Sequence, residues 1–134
     1  MPILYSGGCQ CGAVRYILTQ EPKRLYACHC TECQRQSGSA FGMTMLIDED
    51  SIEVSGSLKE FARISDKGNV VKSYFCPKCG VRIYGVPGYV KEVFSLKPGT
   101  LDDTSWLKPT AMLWLKSSQK WFKIPNHIEK FDEQ

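Results

Sequence analysis

Seven cysteines stand in a chain of 134 residues, and they are grouped: Cys9-x-Cys11, Cys28-x-Cys30-x2-Cys33 and Cys76-x2-Cys79. Thiolates are nucleophiles and soft ligands, so close groups of them serve metal binding, disulfide formation or free-thiol chemistry. Seven is odd, and complete pairing would leave one sulfur over. Residues 1–6 (MPILYS) have neither the basic start nor the long apolar stretch of a secretion signal. A reducing, cytoplasmic setting is therefore expected, in which thiols stay free or hold metal. A chain of this size can also build a core without covalent staples. The grouping predicts metal.

Two of the groups look like tight knuckles. In Cys76-Pro77-Lys78-Cys79-Gly80, proline fixes one φ and Gly80 can take a left-handed conformation beside the ion. In Gly7-Gly8-Cys9-Gln10-Cys11-Gly12, glycines on both sides let backbone N–H groups approach sulfur. Together Cys9, Cys11, Cys76 and Cys79 make a four-thiolate set, the usual ligand field of a structural zinc, which iron can also occupy. Closing so long a loop would contribute folding energy directly.

Cys28, Cys30 and Cys33 form a second set. Three thiolates within six residues leave one position of a tetrahedral zinc open, the pattern of a catalytic site. Thr31-Glu32-Cys33-Gln34 fits a capping box, with Thr31 as N-cap and Gln34 at the third helical position. Cys33 would then lie in a first helical turn, where the helix dipole favours thiolate, and Gly38 would end the helix. Alternatively, His29 or His127 closes the trio; on extended chain His29 would point away from both flanking cysteines. Arg35, Lys78 and Arg82 are candidate cations for an anionic substrate. Glu32 serves either as a general acid or base or as a first-turn acid. Trp106, Trp114, Trp121 and Phe122 either line a pocket or fill a core.

The elements that must hold these groups are mostly strands. Segments 13–19, 43–47, 58–64, 70–75, 81–84, 89–96, 112–115 and 121–124 are rich in β-branched and aromatic residues, with turn residues between them. Only the stretch after Thr31 reads as a helix. The pattern predicts a mainly-β (all-β) single domain over residues 1–134, with 128–134 as a frayed tail. At 43% hydrophobic and 23% charged, the composition is that of a folded chain and excludes wholesale disorder. The apolar runs fall far short of the roughly 20 residues of a spanning helix, so no membrane partner is expected. A net charge of +3 is too mild for a nucleic-acid partner.

Taken together, these motifs carry a family resemblance. Gly8-Cys9-x-Cys11-Gly12-x-Val14-Arg15-Tyr16, Cys28-His29-Cys30-x2-Cys33-x3-Ser37-Gly38-Ser39-Ala40-Phe41 and Phe75-Cys76-x2-Cys79-Gly80 resemble the glutathione-dependent formaldehyde-activating enzyme (GFA) family, which includes centromere protein V. Gly99-x-Leu101-Asp102-Asp103 and Trp121-Phe122 extend the likeness over most of the chain. The resemblance implies a GFA-type (Mss-four-like) fold: several coiled antiparallel β-sheets around zinc, with one short helix. It implies two zincs per chain, a structural one on Cys9, Cys11, Cys76 and Cys79 and a catalytic one on Cys28, Cys30 and Cys33. The implied activity is that of a carbon–sulfur lyase, joining glutathione to formaldehyde, with a small thiol and a small aldehyde as partners. Arg35 is the first choice for a substrate carboxylate. Gln34 stands where members commonly carry a basic residue, and Met112 where they often carry histidine. A zinc-stabilised binding module is the competing reading, since relatives of this fold bind small GTPases.

Overall fold

The computed structural model describes residues 2–133. Its strands are β1 (Tyr5–Gly8), β2 (Arg15–Leu18), β3 (Arg24–Cys28), β4 (Gly42–Asp48), β5 (Ile52–Ser55), β6 (Lys59–Ile64), β7 (Val70–Phe75), β8 (Arg82–Val86), β9 (Val93–Leu96), β10 (Ala111–Leu113) and β11 (Glu129–Lys130). One α-helix, α1 (Thr31–Ser37), comes directly after β3. The mainly-β reading with one short helix is correct. No helix among the described residues is long and apolar enough to cross a membrane. The chain divides into two compact units, residues 1–23 with 45–106, and residues 24–44 with 107–134.

In the first unit β1, β2 and β5 form an antiparallel sheet in which Tyr5 faces Leu18 and Tyr16 faces Val54. Strand alternation decides which side chains turn inward. In β2, Tyr16 and Leu18 are buried while Arg15 is exposed. The Tyr16 hydroxyl meets Thr100 Oγ1 at 2.7 Å, so this buried ring leaves no polar atom unpaired. A second, antiparallel ladder runs β4-β9-β8-β7-β6. Along it Tyr74, Tyr84 and Phe94 stack, with ring centroids 4.9 and 4.6 Å apart. The register slips between Tyr74 and Phe75, immediately before Cys76. Such a bulge bends the strand and re-aims the next residues along it.

The second unit is built on β3, whose last four residues are all buried. Here two pairings run parallel, unlike the antiparallel ladders of the first unit. β10 runs parallel to β3, with Ala111 beside Tyr26 and Leu113 beside Cys28, and β11 runs parallel to β10. Parallel pairing needs a long connection, which the many residues between β3 and β10 supply. β3 escapes the sequence reading because a strand buried along its length shows a near-continuous apolar run instead of alternation.

One further expectation is corrected. Residues 121–124 form no strand; the Phe122 amide bonds Gln119 O at 3.0 Å in a turn. In the tail, Glu129 and Lys130 make β11, and Phe131 N donates to Met112 O at 2.9 Å. Gln134 lies outside the described residues.

Candidate metal centres

All seven cysteines are free thiols. Their sulfurs gather into two groups that could hold a metal ion, Cys9 with Cys11, Cys76 and Cys79 in the first unit, and Cys28 with Cys30 and Cys33 in the second. Within each group all Sγ atoms lie inside 4.8 Å of one another. This is the grouping expected from spacing.

The four-cysteine group rests on two loops that tie themselves down. Cys9 N donates to Val14 O at 3.0 Å and Val14 N to Cys9 Sγ at 3.3 Å. On the other loop, Cys76 N bonds Val81 O, Gly80 N bonds Cys76 O, and Lys78 N reaches Cys76 Sγ at 3.4 Å. Gly80 has φ of 79°, the left-handed conformation expected of it, which a side chain would strain. Cys9 Sγ lies 3.6 Å from Cys11 Sγ, and Cys11 Sγ 3.7 Å from Cys76 Sγ. A tetrahedral ion with metal–sulfur bonds of about 2.3 Å sets its sulfurs about 3.8 Å apart, so these spacings fit a four-thiolate metal. Burial pushes the Cys9 thiol up, yet the Val14 amide and the thiols of Cys11, Cys76 and Cys79 bring it down to about 6. Cys11 moves the other way: against a lowering hydrogen bond from the Ala13 amide, burial and the neighbouring thiols push it up to about 11.

The trio is held differently. Cys28 ends β3 and is buried; Cys30 and Cys33 are half-buried. Cys30, not Thr31, caps α1: its backbone is extended (φ −63°, ψ 156°), and its Sγ accepts the Cys33 amide at 3.3 Å. A sulfur does here what a hydroxyl oxygen usually does. Cys33 does fall in the first helical turn, and Gly38 ends the helix in a left-handed conformation. Hydrogen bonds from Cys28 and Cys33 hold the Cys30 thiol far below its usual range, and the same contacts push Cys28 up. Gly42 borders the site, where an added Cβ would come within 3.3 Å of Cys33 Cβ.

Neither histidine belongs to the trio's ligand group. His29 is fully buried; its Nε2 lies 3.2 Å from Met112 Sδ, and its ring packs 5.1 Å from Phe41 and 5.0 Å from Phe122. Its amide donates to Leu113 O at 2.9 Å. His127 is exposed. Phe122 is thus part of an aromatic cluster, whereas Trp121 is 69% exposed and not core. Trp106 stacks on Tyr5 at 4.5 Å, and Trp114 carries Lys116 over its ring.

The remaining candidates separate clearly. Arg35 is exposed in the last turn of α1. Glu32 lies in the first turn. Lys78 is exposed beside the four-cysteine group, while Arg82 donates to Ser73 Oγ at 2.9 Å and lies over Phe61. Gln34 is not free to complete a capping box. Its Nε2 donates to His29 O at 2.8 Å and to Ser117 O at 2.9 Å. Gln119 donates to Gln34 Oε1 at 3.3 Å, and Trp121 Nε1 to Gln119 Oε1 at 2.6 Å. This chain of amides ties 117–121 to the trio loop. Nothing local in the sequence marks Gln119, because its partner lies 85 positions away.

The chain belongs to the glutathione-dependent formaldehyde-activating enzyme family, whose profile matches residues 4–117. It is similar to an Emericella nidulans protein that carries the family's name, at 30% identity over 58% of this chain and 40% of that one. A Penicillium rubens protein of the same name is 28% identical over 60% of this chain and 44% of its own length. The chain therefore matches less than half the length of these relatives. A crystal structure of a Rhodobacter sphaeroides protein shares the fold, with a TM-score of 0.58 and 19% identity over 78% of this chain and 91% of that one.

Proposed function

We propose that this chain is a zinc-dependent carbon–sulfur lyase-type enzyme that joins a small thiol, glutathione or a compound like it, to formaldehyde or another small aldehyde. The observation that carries the reading is the three-sulfur group of Cys28, Cys30 and Cys33, from which the neighbouring His29 is turned away. Cys9, Cys11, Cys76 and Cys79 would hold a structural zinc, and the trio a second, open-sided one; residues 1–134 would act as a single zinc-binding domain. Zinc in the open-sided site would supply a coordination position that keeps an incoming thiol deprotonated.

The protein's own residues set up the encounter. The Cys33 amide orients Cys30, Gly42 leaves room beside Cys33, and Gln34 holds the carbonyl of His29, the residue that separates Cys28 from Cys30 in the chain. Arg35 would attract a substrate carboxylate. In the net reaction the thiol sulfur adds to the aldehyde carbon, the carbonyl π pair moves to oxygen, and oxygen takes up a proton. Holding both reactants together converts a bimolecular encounter into a local one. Free thiols in such number suit the cytoplasm.

A second reading, the zinc-stabilised binding module, draws on exposed apolar residues at one end of the β6–β7 hairpin. Ile64 and Val70 face each other there and are 66% and 47% exposed. The Cys33→Ser variant decides between the readings. As an enzyme, the protein should stay folded, keep one metal and lose hydroxymethyl-thiol formation from glutathione and formaldehyde. A wild-type protein holding two zincs but inactive on every small thiol–aldehyde pair would favour the module.

A further inference from the structure

β6 ends the antiparallel ladder, and among the described residues no strand pairs with its outer edge. All its residues but Arg63 are exposed, so solvent reaches both of its faces. The hairpin fixes which main-chain groups turn outward. Ser65 N donates to Asn69 O at 2.8 Å, one step beyond the last ladder pair, Ile64 with Val70. Main-chain groups alternate in direction along a strand, so Arg63, Phe61 and Lys59 also turn theirs to β7. Glu60, Ala62 and Ile64 turn theirs to the open edge. Such a row of donors and acceptors is a template for another strand.

We propose that the strand it takes is β6 of a second copy, added antiparallel about a two-fold axis between the two Ala62 residues. Charge selects this register. A two-fold axis perpendicular to a sheet keeps each face on its own side, so only residues an even number of positions apart can stand opposite each other. Among those registers, one opposes Glu60 to itself, one opposes Lys59 to the partner's Arg63, and one opposes Arg63 to itself. Each sets like charges face to face, which destabilises a strand pair. Larger shifts overlap too little of the strand. Centring on Ala62 avoids all of these clashes. Ala62 then faces its counterpart and Glu60 faces the partner's Ile64, with N–H and C=O bonds exchanged at each pair. Between them, where opposed side chains come closest, Phe61 meets the partner's Arg63 and the two arginines stand diagonal to each other. Phe61 is 51% exposed and already takes the Arg82 guanidinium 6.0 Å from its ring, so the contact suits it. Ile64, 66% exposed, gains cover in the same step. A strand-edge pair of this length is a small interface, so the dimer is weak and reversible. The inference concerns the β6 edge alone and does not depend on the lyase reading.

The test is sedimentation of the full chain, as purified with its metal, from about 10 µM to about 1 mM. A reducing agent keeps cysteines from linking copies. The expected result is a reversible rise in mean mass from 15.1 kDa toward twice that value. Amide exchange followed by NMR should slow with concentration at Glu60, Ala62 and Ile64, with little change at Lys59, Phe61 and Arg63. Ala62→Pro removes an outward N–H that β7 does not use, so the monomer should fold and the dimer weaken about tenfold or more. Should that variant not fold, Ala62→Lys, which sets two cations opposite each other across the axis, should weaken it likewise. A monomer at every concentration, a dimer that the folded variants leave intact, or protection gained on another strand instead overturns the proposal.

Discussion

Gln34 and Ser117 are joined by a 2.9 Å hydrogen bond from a helical side-chain amide to a main-chain carbonyl 83 residues further along the chain. The same amide nitrogen holds the carbonyl of His29, between two cysteines of the trio. One side chain thus anchors the 117–121 turn and the cysteine loop together. Gln34→Ala would leave two carbonyl acceptors without their donor. At about 0.5–1.5 kcal/mol per hydrogen bond, we expect a loss of about 1–3 kcal/mol in urea unfolding. We also expect zinc to leave the trio faster under a chelator, with the four-cysteine site unaffected. Unchanged stability and release would show that the bonds do not position the loop.

Tyr16 is 2% exposed, and its hydroxyl must donate to Thr100 Oγ1, because Thr100 spends its own proton on Lys97 O. Tyr16→Phe keeps the packing and removes one buried hydrogen bond, for an expected cost of about 1–2 kcal/mol with an unchanged m-value. Burial pushes the Tyr16 hydroxyl up to about 12 from its ordinary 10. An acid whose pKa is raised by folding stabilises the fold below its unfolded pKa, and that contribution is lost as pH climbs from 10 through 12. The wild type should therefore lose more stability across this window than Tyr16→Phe, in which Tyr74, held up by its hydrogen bond to Glu60, still contributes a loss of its own. Parallel curves for the two proteins would count against the assignment.

On the acid side, Arg15 and then Ser6 hold the Asp102 carboxyl down to about 2, through hydrogen bonds of 2.9 and 2.8 Å. A lowered carboxylate pKa stabilises the fold above the unfolded value, and the gain is lost as pH falls from the ordinary 3.8 through 2. Asp102→Asn should raise the acid-unfolding midpoint pH, modestly because the pair is half-exposed. Circular dichroism across an acid titration checks it; a midpoint unmoved or lowered would contradict it.

How far the sequence could be read depends on how local each feature is. Metal-type cysteine spacing is set within a few residues, so Cys9, Cys11, Cys76, Cys79 and the trio stand out before any fold is known. β2, whose buried and less buried residues alternate, is legible for the same reason, as is β7 through its run of β-branched and aromatic residues. β3 is not, because a buried parallel strand has no alternation, and its partner β10 comes from far along the chain. The cap at α1 misleads because a cysteine takes the place of the adjacent threonine. The packing of His29 on Met112, Phe41 and Phe122 depends on residues far apart in the chain and leaves no local trace.

An open three-sulfur metal site, separate from a closed four-sulfur one, is what the enzyme reading rests on. Zinc content per chain, measured together with zinc-edge X-ray absorption before and after glutathione is added, tests it most directly. The expected result is two zincs, one with four sulfur neighbours throughout and the other gaining a sulfur when glutathione arrives. One zinc, bound only by Cys9, Cys11, Cys76 and Cys79 even after zinc is supplied, would contradict it.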